Sequence, residues 1–318
     1  MAHKSLGPGL DGILIVDKPV GPTSHDIVGL VRRLAATKRV GHGGTLDPFA
    51  SGVLPLFLGR GTRVVEFHLG DHKRYRATVC FGASSSTDDL EGELIPATGP
   101  APDRAAVEAA LPASTGAISQ RPPAYSAIKV GGRRAYALAR AGETVTLAER
   151  QVTIHELSLV SWDDTEPERP IAVLDVACSA GTYVRALARD LGERLGNAAY
   201  LGALRRTASG PFAEADAIPL DTVRAAASDD DPGAIARLLR PIDTGLDRFP
   251  EVALTRAELE AVARGQFVRP AAGYEPGAER YRLRAPDGGL AALAIEATGG
   301  RLAPDKVLVT PAPSVVPA

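Results

Sequence analysis

The segment GHGGTLDPFASG, residues 41–52, is the stretch around which the fold and the chemistry of this chain are organised. Three of its first four residues are glycine, which permits backbone conformations that other residues avoid and lets a ligand approach the main chain closely. Asp47 precedes Pro48, and a following proline biases a residue toward an extended conformation. The segment therefore predicts a carboxylate that is held on a stiff turn beside a flexible loop.

Two interpretations of this loop remain open from its residues alone. A carboxylate on a stiff turn suits a catalytic acid, base or nucleophile. The alternative is an ordinary turn in which Asp47 hydrogen-bonds its own backbone, a common role of aspartate. The loop matches neither the phosphate-binding pattern G-x-x-x-x-G-K-[ST] nor G-x-G-x-x-G, so it does not indicate nucleoside triphosphate binding.

Length and composition predict a globular protein of one large domain with an appendage, or of two domains. The chain has 318 residues, of which 45% are hydrophobic, enough for a sizeable core. The sequence contains no apolar run of the roughly 18–20 residues needed to cross a bilayer. Residues 1–12 also lack the apolar stretch of a signal peptide. We expect a cytoplasmic protein without a membrane partner.

Metal-binding and charge patterns narrow the possible functions further. Cys80 and Cys178 lie in strand-like apolar contexts and lack the spacing of metal ligands, so we expect buried thiols and no metal. The net charge is −2, but lysine and arginine outnumber aspartate and glutamate within residues 1–80 and not in the remainder. One basic face on a near-neutral body is compatible with docking a phosphate backbone, although ordinary surface charge would give the same pattern.

The hydrophobic periodicity predicts alternating strands and helices through most of the chain. Ser24 is expected to cap the first helix, in which Ile27, Val28 and Val31 recur at helical spacing. The predicted strands are 12–19, 73–82, 152–162, 171–179 and 200–210. The predicted helices are 103–112, 133–142 and 181–196.

This pattern predicts an α+β fold with a large, mainly antiparallel mixed sheet flanked by helices. Composition shifts at about residues 211–250, and beyond them short β-rich segments follow at 280–286, 290–297 and 305–311. We therefore expect a first domain of residues 1–245 and a small β-rich C-terminal domain of residues 246–318.

Six blocks of the sequence resemble, in the same order, those of the TruB family of tRNA pseudouridine synthases, which modify uridine 55 in the TΨC arm. The blocks are GILIVDKPVGPTSHDIV (12–28), RVGHGGTLDPFASGVLPLFLGRGTR (39–63), DHKRYRATVCFG (71–82), QRPPAYSAIKVGGRRAYALARAG (120–142), CSAGTYVRALARDLGERLG (178–196) and LRRTASGPF (204–212). The resemblance implies the pseudouridine synthase fold, a reduced PUA-like C-terminal domain, no cofactor, and tRNA bound through its TΨC arm by a monomer.

The resemblance also implies roles for individual residues. The family's catalytic aspartate corresponds to Asp47, its active-site tyrosine to Tyr75 and the basic residue that faces the aspartate to Arg185. The residues implied to bind substrate are His42, Tyr183, Leu204, Lys18, Lys129 and Arg39.

The chemistry of pseudouridine formation explains why these residue types are suitable. The reaction breaks the C1′–N1 bond, rotates the uracil and joins its C5 to C1′, so it requires neither redox change nor external energy. Asp47 would attack C1′ or remove the C2′ proton, and the sequence leaves both routes open. The guanidinium of Arg185 would favour the ionised carboxylate, and the ring of Tyr75 would stack on a uracil flipped out of the RNA.

Phosphate contacts are expected from basic residues that flank the matched blocks, with about half of them touching RNA. These residues are Lys38, Arg39, Arg60, Arg63, Lys73, Arg74, Lys129, Arg133, Arg134, Arg205 and Arg206.

Three other functions are compatible with parts of the sequence. One alternative is an RNA-binding or RNA-folding factor whose catalytic loop is inactive. The presence of GGTLDP, Tyr75 and Arg185 argues against it. A glycoside hydrolase usually needs two carboxylates about 5–10 Å apart, and the sequence shows no second acid near Asp47. A guided enzyme for ribosomal RNA would carry a long basic tail, which is missing. The turn SSSTDDLEG (84–92) departs from the family pattern at Ser85 and Ser86, which affects RNA contacts rather than the chemistry.

Overall fold

The structure is a computed structural model that describes residues 10–126, 128–143, 147–228, 231 and 233–310. Its strands are β1 Gly12–Lys18, β2 Val40–His42, β3 Ser51–Leu58, β4 Lys73–Phe81, β5 Ala83–Ser85, β6 Leu94–Pro96, β7 Gly116–Gln120, β8 Lys129–Val130, β9 Arg133–Arg134, β10 Arg150–Asp163, β11 Ile171–Cys178, β12 Ala199–Ser209, β13 Phe212–Ala213, β14 Ile218–Pro219, β15 Glu251–Ala253, β16 Tyr281–Arg284, β17 Leu290–Ala297 and β18 Arg301–Val307. Its α-helices are α1 Ser24–Leu34, α2 Glu66–Leu69, α3 Arg104–Ala110, α4 Ala135–Arg140, α5 Val184–Arg194, α6 Leu220–Ser228 and α7 Arg256–Ala263.

A large mixed sheet forms the body of the protein. Its order is β14-β1-β3-β12-β4-β11-β10-β7, with β2 beside β3 and β13 beside β12. Only the pairs β1–β14 and β3–β12 are parallel, and the other pairs are antiparallel. The predicted α+β class with a mainly antiparallel mixed sheet is confirmed.

The cap of the first helix lies one residue earlier than the sequence predicted. Thr23, not Ser24, is the N-cap: its hydroxyl accepts from the Asp26 amide, and the Asp26 carboxylate accepts from the Thr23 amide. This reciprocal arrangement is a capping box. Ser24 is already helical and buried, which frees its hydroxyl for a bond to another segment.

A smaller sheet follows at the C-terminal end, in the order β15-β16-β17-β18. Its last strand spans 301–307 rather than the predicted 305–311, because the turn at Gly299 and Gly300 starts the strand earlier. The sheet and α7 enclose a separate core. This core contains Val262, Tyr281 and Leu283.

A third apolar cluster joins the two sheets. It combines Ile13, Ile15 and Phe57 from β1 and β3 with Leu246, Phe249, Leu293 and Leu308 from the C-terminal part. The smaller sheet therefore packs on one face of β1 and β3. The other face of these strands contacts α1 and belongs to the main core, which includes Leu14, Val16 and Val31.

Candidate active site

The glycine-rich loop occupies a gap in the large sheet. Along β3, strand β2 pairs only with the far end, whereas β12 pairs only with Ser51 and Gly52. Between them the amide of Gly43 donates to the carbonyl of Pro55 over 3.0 Å. The ring nitrogen of Pro55 faces this same side, so no bond of the strand ladder is lost there. The gap explains how a proline is tolerated inside β3. The bond from Gly43 also fixes the start of the loop segment that leads to Asp47.

Ser24 fixes the residue that precedes Asp47. Its Oγ accepts from the amide of Leu46 over 2.8 Å and donates to the carbonyl of Leu46 over 3.1 Å. Both polar groups of one peptide residue are thus satisfied by one buried side chain. The residue expected to be a helix cap is therefore an anchor of the loop.

Lys18 supports the loop from below. Its side chain is fully buried, and Nζ donates to the carbonyls of Pro19, Pro48 and Ala50 over 2.8, 3.3 and 2.6 Å. Burial lowers the pKa of Lys18 to about 8, a shift that Asp47 opposes and Arg206 reinforces. The expected contact of Lys18 with substrate stays a prediction, and in this structure the three carbonyls take the donors of its ammonium group.

Arg206 is a second buried cation beneath the loop. It is 1% exposed, and its guanidinium donates to the carbonyls of Val53, Gly44 and Thr45 over 2.7, 3.2 and 3.4 Å. Arg206, one of the basic residues of which about half are expected to contact phosphate, therefore directs its guanidinium to backbone carbonyls inside the protein. Strand alternation is the reason, because Leu204 and Arg206 point to one face of β12 and Arg205 to the other.

Lys73 is, after Arg206, the second residue of the expected phosphate set that is buried. It is 7% exposed, and Nζ donates to the carbonyls of Leu69 and Asp71. The position begins β4, where its side chain points inward beside the loop. Lys73, like Arg206, therefore holds backbone rather than presenting its charge to solvent.

Arg185 connects Asp47 to a second acid. Its Nε lies 3.1 Å from Oδ2 of Asp47, as an ion pair without the alignment of a hydrogen bond. Its Nη1 donates to Oδ2 of Asp89 over 3.1 Å, and Nη2 donates to the carbonyl of Tyr125 over 3.0 Å. The guanidinium is 7% exposed, so these contacts are shielded from water. The sequence prediction that Arg185 faces Asp47 agrees with this geometry.

Asp89 is the functional residue that the sequence argument missed. It is buried, and its Oδ1 accepts from the hydroxyl of Thr87 and the amide of Glu91 over 2.5 and 3.0 Å. The expectation that no second acid lies near Asp47 is therefore wrong. Only the contact through Arg185, between distant segments, brings the two acids together. Asp89 accepts hydrogen bonds from Arg185, Thr87 and Glu91. The second acid of a glycoside hydrolase, in contrast, acts on the substrate or on water.

The protonation of Asp47 reflects opposing influences. Burial raises the pKa of this carboxyl above its usual value, and the nearby Asp89 raises it further. Arg185 and, to a lesser extent, Lys18 act in the opposite direction. The guanidinium thus favours the ionised form as expected, but the effect of burial on the pKa is larger.

A cavity of about 670 Å³ opens above Asp47. Its wall includes Tyr75, Tyr183 and Leu204, and the Asp47 side chain is 36% exposed. Tyr75 lies directly opposite Arg206 across β4 and β12. Burial raises the pKa of the Tyr75 hydroxyl, so it is neutral near pH 7, while Arg206 partly opposes that shift. An ionisable carboxylate, two aromatic rings and an apolar wall thus converge on one space.

The other predicted substrate-binding residues are not among the described residues that line this cavity. His42 is half-buried at the end of β2, where its Nδ1 accepts from the Gly44 amide over 3.3 Å, and burial lowers its pKa. Arg39 is exposed just before β2. The side chain of Lys129, like that of Arg134, lies outside the described part of the structure.

The remaining basic residues with expected phosphate contacts lie at the surface. Most of them contact acids or carbonyls, in the pairs Arg60–Asp11, Arg74–Glu156, Arg133–Glu143, Arg205–Asp17 and Arg63 with the carbonyl of Val307. Lys38 and Arg39 are exposed and appear in none of the ion pairs between described residues. These two cations are the most readily available to an external phosphate.

Neither a group of three or more metal-ligating His, Cys, Asp or Glu side chains nor a helix suited to span a membrane occurs in the described ranges.

Comparison with known families gave matches along most of the chain. Residues 32–184 match the N-terminal domain of TruB family pseudouridylate synthases, and residues 185–247 match a tRNA pseudouridylate synthase B C-terminal domain. The chain is 49% identical to the tRNA pseudouridine synthase B of Bradyrhizobium diazoefficiens, over 81% of this chain and 74% of that protein. It is 45% identical to the protein of the same name from Thermobifida fusca, over 91% of this chain and 96% of that protein.

Solved structures show the same fold at lower identity. A chain in a crystal structure of a Cbf5-Nop10-Gar1 complex matches with a TM-score of 0.69 and 24% identity, over 98% of this chain and 92% of that chain. A structure of an H/ACA RNP bound to a substrate RNA containing 2′-deoxyuridine gives a TM-score of 0.68 and 24% identity, over 94% and 86% of the two chains. These likenesses concern the fold alone.

Proposed function

Since this chain belongs to the TruB family of pseudouridylate synthases and is therefore an isomerase, we propose that it converts uridine 55 in the TΨC loop of tRNA into pseudouridine. The names of its relatives support tRNA as the substrate. The observation that carries the proposal is the Asp47 carboxylate, which lies in an open cavity 3.1 Å from the guanidinium of Arg185.

Asp47 is the catalytic carboxylate in this proposal. As a nucleophile it forms a bond to C1′ while the electron pair of the C1′–N1 bond leaves with the uracil. C5 of the rotated uracil then displaces Asp47 from C1′, and the proton of C5 is lost to a base as N1 gains one. In the alternative route Asp47 removes the C2′ proton while the electron pair of the C1′–N1 bond leaves with the uracil, which gives a glycal. C5 of the rotated uracil then bonds to C1′ as the Asp47 carboxyl returns the proton to C2′, and the proton of C5 is lost to a base as N1 gains one. Either route starts from an ionised carboxylate and returns it unchanged, so the reaction consumes no cofactor.

Arg185 is proposed to hold Asp47 in its ionised form, and Asp89 to hold Arg185 in place. The carboxylate faces a cavity from which a bound nucleotide excludes water, and burial of this kind favours protonation. Arg185 counters this tendency at Asp47, and Asp89 fixes the guanidinium from its other side. The Asp47 side chain lines the cavity and remains 36% exposed beside this ion pair.

The aromatic and apolar walls are proposed to receive the uracil. Flipping a base out of a folded loop costs a few kcal/mol, and stacking on an aromatic ring returns about 1–3 kcal/mol per base. Tyr75 supplies such a ring, while Tyr183 and Leu204 close the wall of the same cavity. An enclosed base also remains in place while it rotates between cleavage and rejoining.

The RNA backbone is proposed to dock on the basic surface near the loop. Arg39 and Lys38 are exposed immediately before the strand that leads into it, and phosphate contacts of this type orient a nucleic acid. His42 and Lys129 remain proposed RNA contacts. A monomer acting in the cytoplasm, and a boundary between domains at residues 245 and 246, complete the proposal.

The test is incubation of the protein with an unmodified tRNA transcript, followed by mapping of pseudouridine at each position. We expect modification at position 55 alone, and none with Asp47→Asn. A transcript in which position 55 is cytidine is the matched control and should remain unmodified throughout. Modification confined to another position would contradict the proposed site, and no modification at all would contradict the proposed substrate.

A further inference from the structure

Two residues that face each other across neighbouring strands both hold Tyr183. Gln120 on β7 and Arg150 on β10 are direct partners in the strand register. The Gln120 amide oxygen accepts from the Tyr183 amide over 2.8 Å, and its amide nitrogen donates to the Tyr183 carbonyl over 3.0 Å. Gln120 thus fixes the backbone of Tyr183, at the residue that immediately precedes α5.

Arg150 contacts the ring of the same tyrosine. Its guanidinium carbon lies 4.6 Å from the centroid of the Tyr183 ring, within the range of a cation–π interaction. Its Nε and Nη2 are buried and have no hydrogen-bond partner, and no ion pair to Arg150 is found in the described ranges. Buried donors without acceptors are unfavourable. The ring of Tyr183 is therefore the main favourable contact of the Arg150 guanidinium.

We propose that Arg150 is a positioning residue that holds the Tyr183 ring against the cavity, and through it the start of α5 from which Arg185 projects. The inference rests on the proposed function, because it concerns the same site. Arg150 is not among the described residues that line the cavity, whereas Tyr183 and Arg185 are. It therefore acts through the tyrosine rather than on the RNA.

The position of Tyr183 explains why its orientation matters. It is the N-cap residue of α5, but its side chain makes no capping hydrogen bond. The geometry of the helix start thus depends on Gln120 at the backbone and on Arg150 at the ring. A small rotation of this residue would move both the wall of the cavity and the guanidinium that lies 3.1 Å from Asp47.

The experiment compares Arg150→Met and Arg150→Lys with the unaltered protein, using single-turnover rates and KM on the tRNA transcript. Methionine keeps the length of the side chain and removes its charge, whereas lysine keeps the charge. We expect Arg150→Met to lower the single-turnover rate by about tenfold to thirtyfold with KM changed by less than about threefold. Arg150→Lys should recover a large part of that loss. Arg104→Met, an exposed arginine of α3, is the matched control and should change neither quantity.

A double variant separates positioning from general destabilisation. In a Tyr183→Leu protein the ring is missing, so adding Arg150→Met should lower the rate by less than about twofold. An equal loss with and without the ring would overturn the inference, as would a rise in KM alone, which would mark Arg150 as an RNA contact. Losses that follow the melting temperature in both Arg150 variants would also overturn it. If the unaltered protein leaves position 55 unmodified, the proposed function fails instead.

Discussion

Arg206 lies directly opposite Tyr75 across β4 and β12, and the same guanidinium donates to the carbonyl of Gly44 over 3.2 Å. One buried cation therefore contacts the aromatic wall of the cavity and supports the loop that carries Asp47. Lys18 supports the other end of that loop through Pro48 and Ala50. Backbone carbonyls, not carboxylates, accept the protons of both side chains, which leaves a positive field beneath Asp47.

Asp47→Asn should abolish pseudouridine formation and leave tRNA affinity within about tenfold, on the order of 1.4 kcal/mol. The amide keeps the size of the side chain but can neither attack C1′ nor accept a proton. Single-turnover assays with excess enzyme and filter-binding measurements on the same tRNA give the two quantities. A variant that still turns over would remove Asp47 from the mechanism.

The activity should fall in acid at a pH above the usual range for an aspartate. Burial raises the pKa of Asp47, so the ionised fraction falls as the pH decreases through that raised value. In Arg185→Met the guanidinium that opposes this shift is lost, and the acid limb should move to still higher pH, with a lower maximal rate. Single-turnover rates across a pH series measure the acid limb in the unaltered protein and in Arg185→Met. An acid limb that stays in place in Arg185→Met would show that the limb belongs to another group.

Tyr75→Phe should retain RNA binding and a measurable part of the turnover, whereas Tyr75→Leu should lose at least about tenfold more. The phenylalanine keeps the stacking ring, whose contribution is about 1–3 kcal/mol per base. The two variants therefore separate the ring from the hydroxyl. A complete loss of activity in Tyr75→Phe with normal binding would instead assign the chemistry to the hydroxyl, which lies beside Arg206.

Gly52→Ala should destabilise the protein by about 2–4 kcal/mol and reduce activity in proportion to the folded fraction lost. Gly52 has φ +102°, and an added Cβ would lie 2.2 Å from the backbone oxygen of Arg206. Gly70→Ala is the matched control, because a Cβ there meets no atom within 4 Å. Urea unfolding of both variants measures the free energies. Equal stability of the two would mean that β3 and β12 separate readily at this point.

The sequence predicted the elements whose pattern is local. The strand at 73–82 and the helix at 181–196 show alternation and helical spacing that survive in β4 and α5. The loop residues alone left the role of Asp47 open between a catalytic carboxylate and an ordinary turn, and only the family resemblance singled it out.

The parts that were missed depend on contacts between distant segments. Adjacent arginines at 205 and 206 suggest two surface charges, yet alternation along β12 turns Arg206 inward, and the buried Leu204 two residues earlier was the available signal. Asp89 meets Asp47 only through Arg185, so no spacing within one segment could place the second acid there.

The apolar cluster shared by the two sheets has a consequence for biosynthesis. Ile13, Ile15 and Phe57 are synthesised long before Leu293 and Leu308, which belong to the same cluster. On the ribosome, part of this apolar face therefore stays uncovered until residues 293–308 have been synthesised. Premature termination would leave that face exposed, even though every residue around Asp47 had already been synthesised.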